Sequence, residues 1–223
     1  GPQVEKLVPK ARYTALILYG IYLGMTVLEI VLLLISRMPV FDALTLTFGT
    51  AGTGGFGVRN DSLAGYTMLQ QGIITVFMIL FGVNFNFYFL LLLRKFRRAA
   101  GIEEVRWYFL IILAAIAAIT VNVRPFFGSV FEAVHHVAFQ VGSVITTTGY
   151  STVDFDLWPA FSKTVLVLLM FIGACAGSTG GGIKVARIVQ LAKSVRHELH
   201  CVLHPKSVRA IYSDGKPLTQ ETI

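Results

Sequence analysis

Two stretches of this 223-residue chain offer backbone oxygen and little else: Gly52-Thr53-Gly54-Gly55-Phe56, and Thr146-Thr147-Thr148-Gly149-Tyr150. Neither carries a base, a nucleophile or a metal-binding set. Small and hydroxylated residues in a row can present carbonyl groups, and rings of carbonyls replace the shell of a weakly hydrated cation. Gly55 and Gly149 permit backbone angles that a side chain forbids. A third stretch, Gly173 to Lys184 (GACAGSTGGGIK), holds Gly173, Gly177, Gly180, Gly181 and Gly182, with Ser178 and Thr179 between them. Each glycine costs a helix about 1 kcal/mol against alanine, so a helix entering this segment breaks there. The chemistry on offer is cation coordination and hinge motion, with no bond made or broken.

Other chemistries fit less well. Gly177 to Lys184 is a poor phosphate loop: Ile183 separates Gly182 from Lys184, no Ser or Thr follows, and no strand precedes. No Ser–His–Asp, paired-carboxylate or cofactor-cradling constellation occurs, so no enzyme and no organic cofactor is expected. His135 and His136 are adjacent and diverge on a helix. His197, His200, Cys201 and His204 have helical spacing that could bind zinc, and equally suit an amphipathic helix meeting headgroups or a partner. Cys175 and Cys201 read as free thiols. Asp154 and Asp156 either raise cation concentration at a pore mouth or cap the loop before Trp158-Pro159.

The elements that must position these loops follow from composition. With 55% apolar residues, 14% charged and a mean hydropathy of +0.70, the chain suits a bilayer as its solvent. Residues 14–36, 67–93 and 107–123 read as spans, and 160–176 as a span running into glycines. Glu29 lies in the first span and is expected to reach the outer interface. Asn84 and Asn86 sit mid-span in the second. Of the 19 Lys and Arg, 3 precede residue 13, 5 lie between 94 and 106, and 7 follow 183. The positive-inside rule makes those flanks, and both ends of this chain, cytoplasmic. The net charge of +7 is thus topology, and no nucleic-acid partner is expected.

Sliding the chain by 94 positions sets Ala11-Arg12-Tyr13 on Val105-Arg106-Trp107, Gly55-Phe56 on Gly149-Tyr150, and Gly82-Val83-Asn84 on Ala176-Gly177-Ser178. Residues 1–99 and 100–205 read as parallel copies of one unit, with 206–223 as a tail or linker. In each copy an apolar segment too short to cross (40–52 and 130–145) leads into the small-residue loop. A re-entrant half-helix explains that order, because irregular backbone at membrane depth must be buried in protein or line water. The expected fold is an all-α membrane protein of two helix–pore-loop–helix repeats, the second inner helix broken by glycines.

The segments ITTTGYSTVDFDLWP, FIGACAGSTGGGIKVARI and FGTAGTGGFGVRN resemble the Trk/Ktr/HKT superfamily of potassium transporters, and within it the bacterial TrkH-type pore subunits. The resemblance covers essentially the whole chain. It implies four such repeats around one pore; this chain carries two, resembling the second and third, so it is expected to be part of a longer subunit, or two chains would have to complete one pore. It implies that residues 52–56 and 146–150 are selectivity filter, with potassium, the substrate, at the carbonyls of Thr53, Gly54, Thr147 and Thr148. It implies that 173–184 obstructs the pore and moves on gating, with Lys184 and Arg187 marking the cytoplasmic end. It also implies the bacterial inner membrane, a homodimer of the full subunit, and a cytoplasmic TrkA/RCK-type nucleotide-binding regulator on Arg94–Arg98 and the 184–209 segment. A cation-coupled symporter, putting Glu29 or the histidines to work, and a non-conducting scaffold are the alternatives.

Overall fold

The computed structural model describes residues 4–203, 212–213 and 216–217. Helix α1 (Val4–Ile35) contains a 24-residue apolar stretch from Arg12 to Ile35. At 1.5 Å per residue that is about 36 Å, enough to cross roughly 30 Å of hydrocarbon. The chain turns at Arg37, whose φ is 63°, and Pro39 opens α2 (Val40–Ala51), whose 12 residues are too few to cross. Helix α3 (Met68–Phe81) starts at a capping box in which Thr67 and Gln70 exchange side-chain and backbone hydrogen bonds. Helices α4 (Phe85–Leu92) and α5 (Phe96–Ala100) precede α6 (Glu103–Val123), the second membrane-length helix. Helix α7 (Val130–Ile145) is N-capped by the Ser129 hydroxyl, which accepts from the Glu132 amide. Helices α8 (Ala160–Ile172) and α9 (Val185–Leu203) follow, and Tyr212–Ser213 pairs with Lys216–Pro217 in a two-residue antiparallel bridge. The described residues otherwise form only helices and the turns between them.

Residues 67–93 do not run as one straight helix: α3 and α4 meet at 90° across Gly82–Asn84. Gly82 ends α3, and a methyl group there would collide with the Tyr108 hydroxyl of α6. Asn84 then caps α4, its side-chain oxygen accepting from the Asn86 amide at 2.9 Å. Apolarity sets a segment's depth and is blind to its bending, so hydropathy alone reads the two helices as one.

Helix α7 is the packing centre, lying against α3 on one side and α6 and α8 on the other. Its C-terminal half, Phe139 to Ile145, is wholly buried. Helix α1 packs on α2, α3 and α4. Large apolar side chains such as Tyr13, Tyr19, Leu113, Val121 and Phe171 remain exposed, the pattern of a surface that meets lipid. The 94-position register is visible in the geometry: α2 ends at Ala51 and α7 at Ile145, and each is capped by a residue in right-handed conformation, Gly52 and Thr146.

Candidate functional site

Beyond those caps the two loops fold alike, bond for bond. Thr53 N–H donates to Thr50 O and Thr147 N–H to Val144 O, both at 3.1 Å. Gly54 donates to Gly49 O at 2.8 Å, and Thr148 to Ser143 O at 2.9 Å. Gly55 and Gly149 reach the same two acceptors at 3.3 and 3.4 Å. Thr53 and Thr147 both lie in the left-handed region, at φ 50° and 59°, as do Gly55 at 66° and Gly149 at 93°. A β-branched residue rarely adopts that conformation, and the strain costs on the order of 1–2 kcal/mol. The amides of residues 52–55 and 146–149 are thus turned onto the preceding helix end. Among the described residues, no donor reaches the carbonyls of Thr53, Gly54, Thr147 or Thr148.

The loops also touch each other. The Thr148 carbonyl lies directly against Gly55, where a Cβ would overlap it. Tyr150 donates its hydroxyl to Leu46 O at 3.0 Å and to Phe56 O at 3.3 Å, in the space left by Gly49. Its own carbonyl accepts from Ser143 Oγ at 2.6 Å. Phe56 occupies the matching position and has no hydroxyl, so this bridge runs in one direction only. Tyr150→Phe leaves both acceptors without that donor, and is expected to lower stability by about 1–3 kcal/mol. Thermal unfolding of the purified protein in detergent measures it; an unchanged midpoint would mean that the bridge holds nothing.

The third segment bridges both loops. Helix α8 stops at Gly173, and the chain folds back: Ala174 N–H donates to Gly181 O at 3.3 Å and Val185 N–H to Ala174 O at 3.2 Å. Gly173 and Gly182 pack backbone to backbone, at φ 73° and 84°. The strained threonines are tied here. Thr53 Oγ1 donates to Thr179 O at 3.0 Å, and Thr147 Oγ1 accepts from the Gly181 amide at 2.7 Å. The segment also docks on the bend between α3 and α4. Cys175 N–H donates to Gly82 O at 3.0 Å, Thr179 N–H to Phe81 O at 3.3 Å, and Phe85 N–H to Gly177 O at 3.0 Å. Residues 82–84 and 176–178 hold the same repeat position, so each break supplies the hydrogen bonds that the other lacks.

Glu104, which the sequence reading did not single out, sits at this junction with 7% exposure. One carboxylate oxygen accepts from the amides of Ala176 at 2.6 Å and Ala186 at 3.2 Å, and the other from Asn84 Nδ2 at 3.3 Å. The Lys184 ammonium turns back onto the Gly180 carbonyl of the same segment.

Further expectations sort as follows. Glu29 does not reach an interface; it is fully buried, facing Thr50 of α2. The Thr50 hydroxyl is already committed to Leu46 O at 2.9 Å, so neither carboxyl oxygen has a hydrogen-bond partner of good geometry. Asp154 caps the turn at Phe155–Leu157, accepting from the Asp156 amide. His135 and His136 diverge, one to Gln71 and one to Thr152, at 2.9 Å each. No group of three metal-binding side chains occurs among the described residues, and His204 lies outside them. Cys175 is a buried free thiol.

Two membrane-length helices, two half-length helices ending in matched loops, and a glycine-rich segment bridging those loops define an α-helical membrane protein. The chain belongs to the TrkH cation transport protein family, whose sequence model matches residues 3–223. The family is one of transport proteins rather than enzymes. Over its whole length the chain is 30% identical to the Trk system potassium uptake protein TrkH of Vibrio parahaemolyticus, covering 47% of it, and 32% identical to that of Salmonella typhimurium, also covering 47%. It is 28% identical to the Trk system potassium uptake protein TrkG of Escherichia coli over 98% of this chain and 46% of that protein. The crystal structure of the potassium transporter TrkH from V. parahaemolyticus matches 94% of this chain and 46% of its own, with a TM-score of 0.85 and 30% identity. The chain therefore spans about half the length of the relatives it matches.

Proposed function

We propose that this chain forms half of a potassium-uptake pore in a bacterial inner membrane. The observation that carries the reading is the pair of loops at 52–56 and 146–150, each with a left-handed threonine and glycine, whose Thr53, Gly54, Thr147 and Thr148 carbonyls accept nothing among the described residues. Thr53, Gly54, Thr147 and Thr148 supply oxygens to a dehydrated potassium ion, the transported substrate, and the α2 and α7 carboxyl ends add partial negative charge. The remaining loops of a fourfold ring come from chain beyond these residues. The relatives are Trk system potassium uptake proteins, which agrees with this assignment. Segment 173–184 gates the flow, a reading that its hydrogen bonds to Thr53 and Thr147 support. Both ends of the chain face the cytoplasm. The basic run Arg94–Arg98 and helix α9 receive a nucleotide-binding regulatory subunit, and the full subunit pairs as a homodimer.

The deciding experiment is rubidium or potassium flux into liposomes, in potassium and in sodium, for the full-length protein and its Gly149→Ser variant. A Cβ at Gly149 meets nothing within 4 Å, so the change alters the loop backbone without crowding the fold. Loss of potassium preference in a folded variant is the expected result. Unchanged flux and preference would make residues 146–150 an ordinary turn and end the proposal.

A further inference from the structure

A carboxylate buried to 7% exposure needs compensation, and Glu104 forms no ion pair among the described residues. Its partners are three N–H groups on separate pieces of chain. Ala176 lies inside the 173–184 segment, Ala186 lies just past it in the first turn of α9, and Asn84 lies in the bend between α3 and α4. Asn84 is itself fixed by capping α4 through the Asn86 amide. Beside this junction Lys193 Nζ bonds Glu103 Oε2 at 2.6 Å, a second tie between α9 and α6. One side chain thus joins both ends of the glycine segment to the first-copy break, and anchors all of them to a membrane-length helix. The corresponding position of the first copy, Lys10, carries no carboxylate, and that copy has no bridging glycine segment.

We infer that Glu104 is the positioning residue of the gate: its carboxylate latches the 173–184 segment against the two filter loops, and the segment leaves the ion path when those hydrogen bonds part. The inference rests on the reading of 173–184 as a gate. Charge-assisted bonds to a buried carboxylate are stronger than neutral ones, and they are spread over two helices and a loop. Movement of α9 away from α6 breaks the Ala186 and Lys193 ties together. A rigid-body shift of one helix is therefore transmitted to the loop through a single residue.

Cys175, wholly buried within the segment, provides a readout independent of flux. In the full-length protein with Cys201→Ser, maleimide labelling of Cys175 and radioactive rubidium flux into liposomes are measured together for wild type, Glu104→Gln and Glu104→Ala. Loss of one charge-assisted bond shifts a closed–open equilibrium by roughly tenfold or more. Glu104→Ala is accordingly expected to raise labelling rate and flux about tenfold while leaving potassium preference over sodium unchanged. Glu104→Gln keeps an acceptor for Ala176 and Ala186 but turns an amide donor onto Asn84, so both readouts rise less. Wild-type labelling in either folded variant overturns the latch. Labelling that rises while flux stays constant shows a loop that is mobile but not in the ion path, which overturns the gate and with it the role of Glu104 in permeation. Should Glu104→Ala fail to fold, Glu104→Gln decides by the same two readouts.

Discussion

Gly55→Ala is expected to reduce potassium uptake at least tenfold while the protein still reaches the membrane. Two independent costs meet at this position. At φ 66° an alanine is held in the left-handed region, a penalty of about 1–2 kcal/mol. The added methyl also lands on the Thr148 carbonyl oxygen and within 2.8 Å of its carbon. Both are backbone atoms, so no rotamer change relieves the contact and the two loops must separate. The carbonyl pushed aside is one of the four assigned to the ion, so the damage falls on coordination before it falls on the fold. Gly149→Ala carries the backbone strain without the collision, and its effect on uptake is expected to be smaller. Gly20→Ala and Gly24→Ala, where a Cβ meets nothing within 4 Å, should match wild type. Rubidium uptake normalised to membrane-inserted protein ranks the four. Wild-type transport by Gly55→Ala would mean that the contact between the loops lies outside the conducting path.

The parts of this architecture that were legible in the sequence are those a bilayer imposes. Residues 12–35 and 103–126 had to be apolar and long to cross, and α2 and α7 announced themselves by being apolar and short. The repeat offset sets the two loops at matching positions, Gly55-Phe56 on Gly149-Tyr150. Angles and azimuths were not legible. Glu29 was assigned by depth alone, whereas the face of α1 that carries it turns toward α2. Glu104 reads as one of two acids in the first turn of a helix, a position that complements the helix dipole anywhere. Its partners Ala176 and Ala186 come close only after the chain has folded back through α7 and α8. The bend at Gly82–Asn84 did leave a signal: those residues align with Ala176-Gly177-Ser178, inside the segment already expected to break. The left-handed threonines left none, because their strain is offset by the bond Thr53 donates to Thr179 and the one Thr147 accepts from Gly181, which no local pattern encodes.

The segment that makes those bonds is itself folded back on two glycines packed backbone to backbone, which leads to the other large expected effect. A Cβ on Gly173 would lie 2.7 Å from Gly182 Cα, and one on Gly182 would lie 3.0 Å from Gly173 N. Both residues are also left-handed, at φ 73° and 84°. Gly173→Ala or Gly182→Ala therefore wedges apart the base of the folded-back loop, and the compact form loses stability by several kcal/mol when strain and collision combine. In the gate reading that compact form is the obstructed one. Either variant is expected to raise rubidium flux at least tenfold, with potassium preference retained because residues 52–56 and 146–150 keep their own hydrogen bonds to α2 and α7. The double variant is expected to add little to either single one, since the first methyl has already opened the gap that the second would need. A coupling of about 0.5–3 kcal/mol between contacting sites is the ordinary range, and full additivity would show that the two glycines do not meet in the closed pore. Flux that falls to background in both single variants carries the opposite meaning. The folded-back loop would then be required for conduction, supporting Thr53 and Thr147 from behind, and the obstruction would have to be sought elsewhere in the pore.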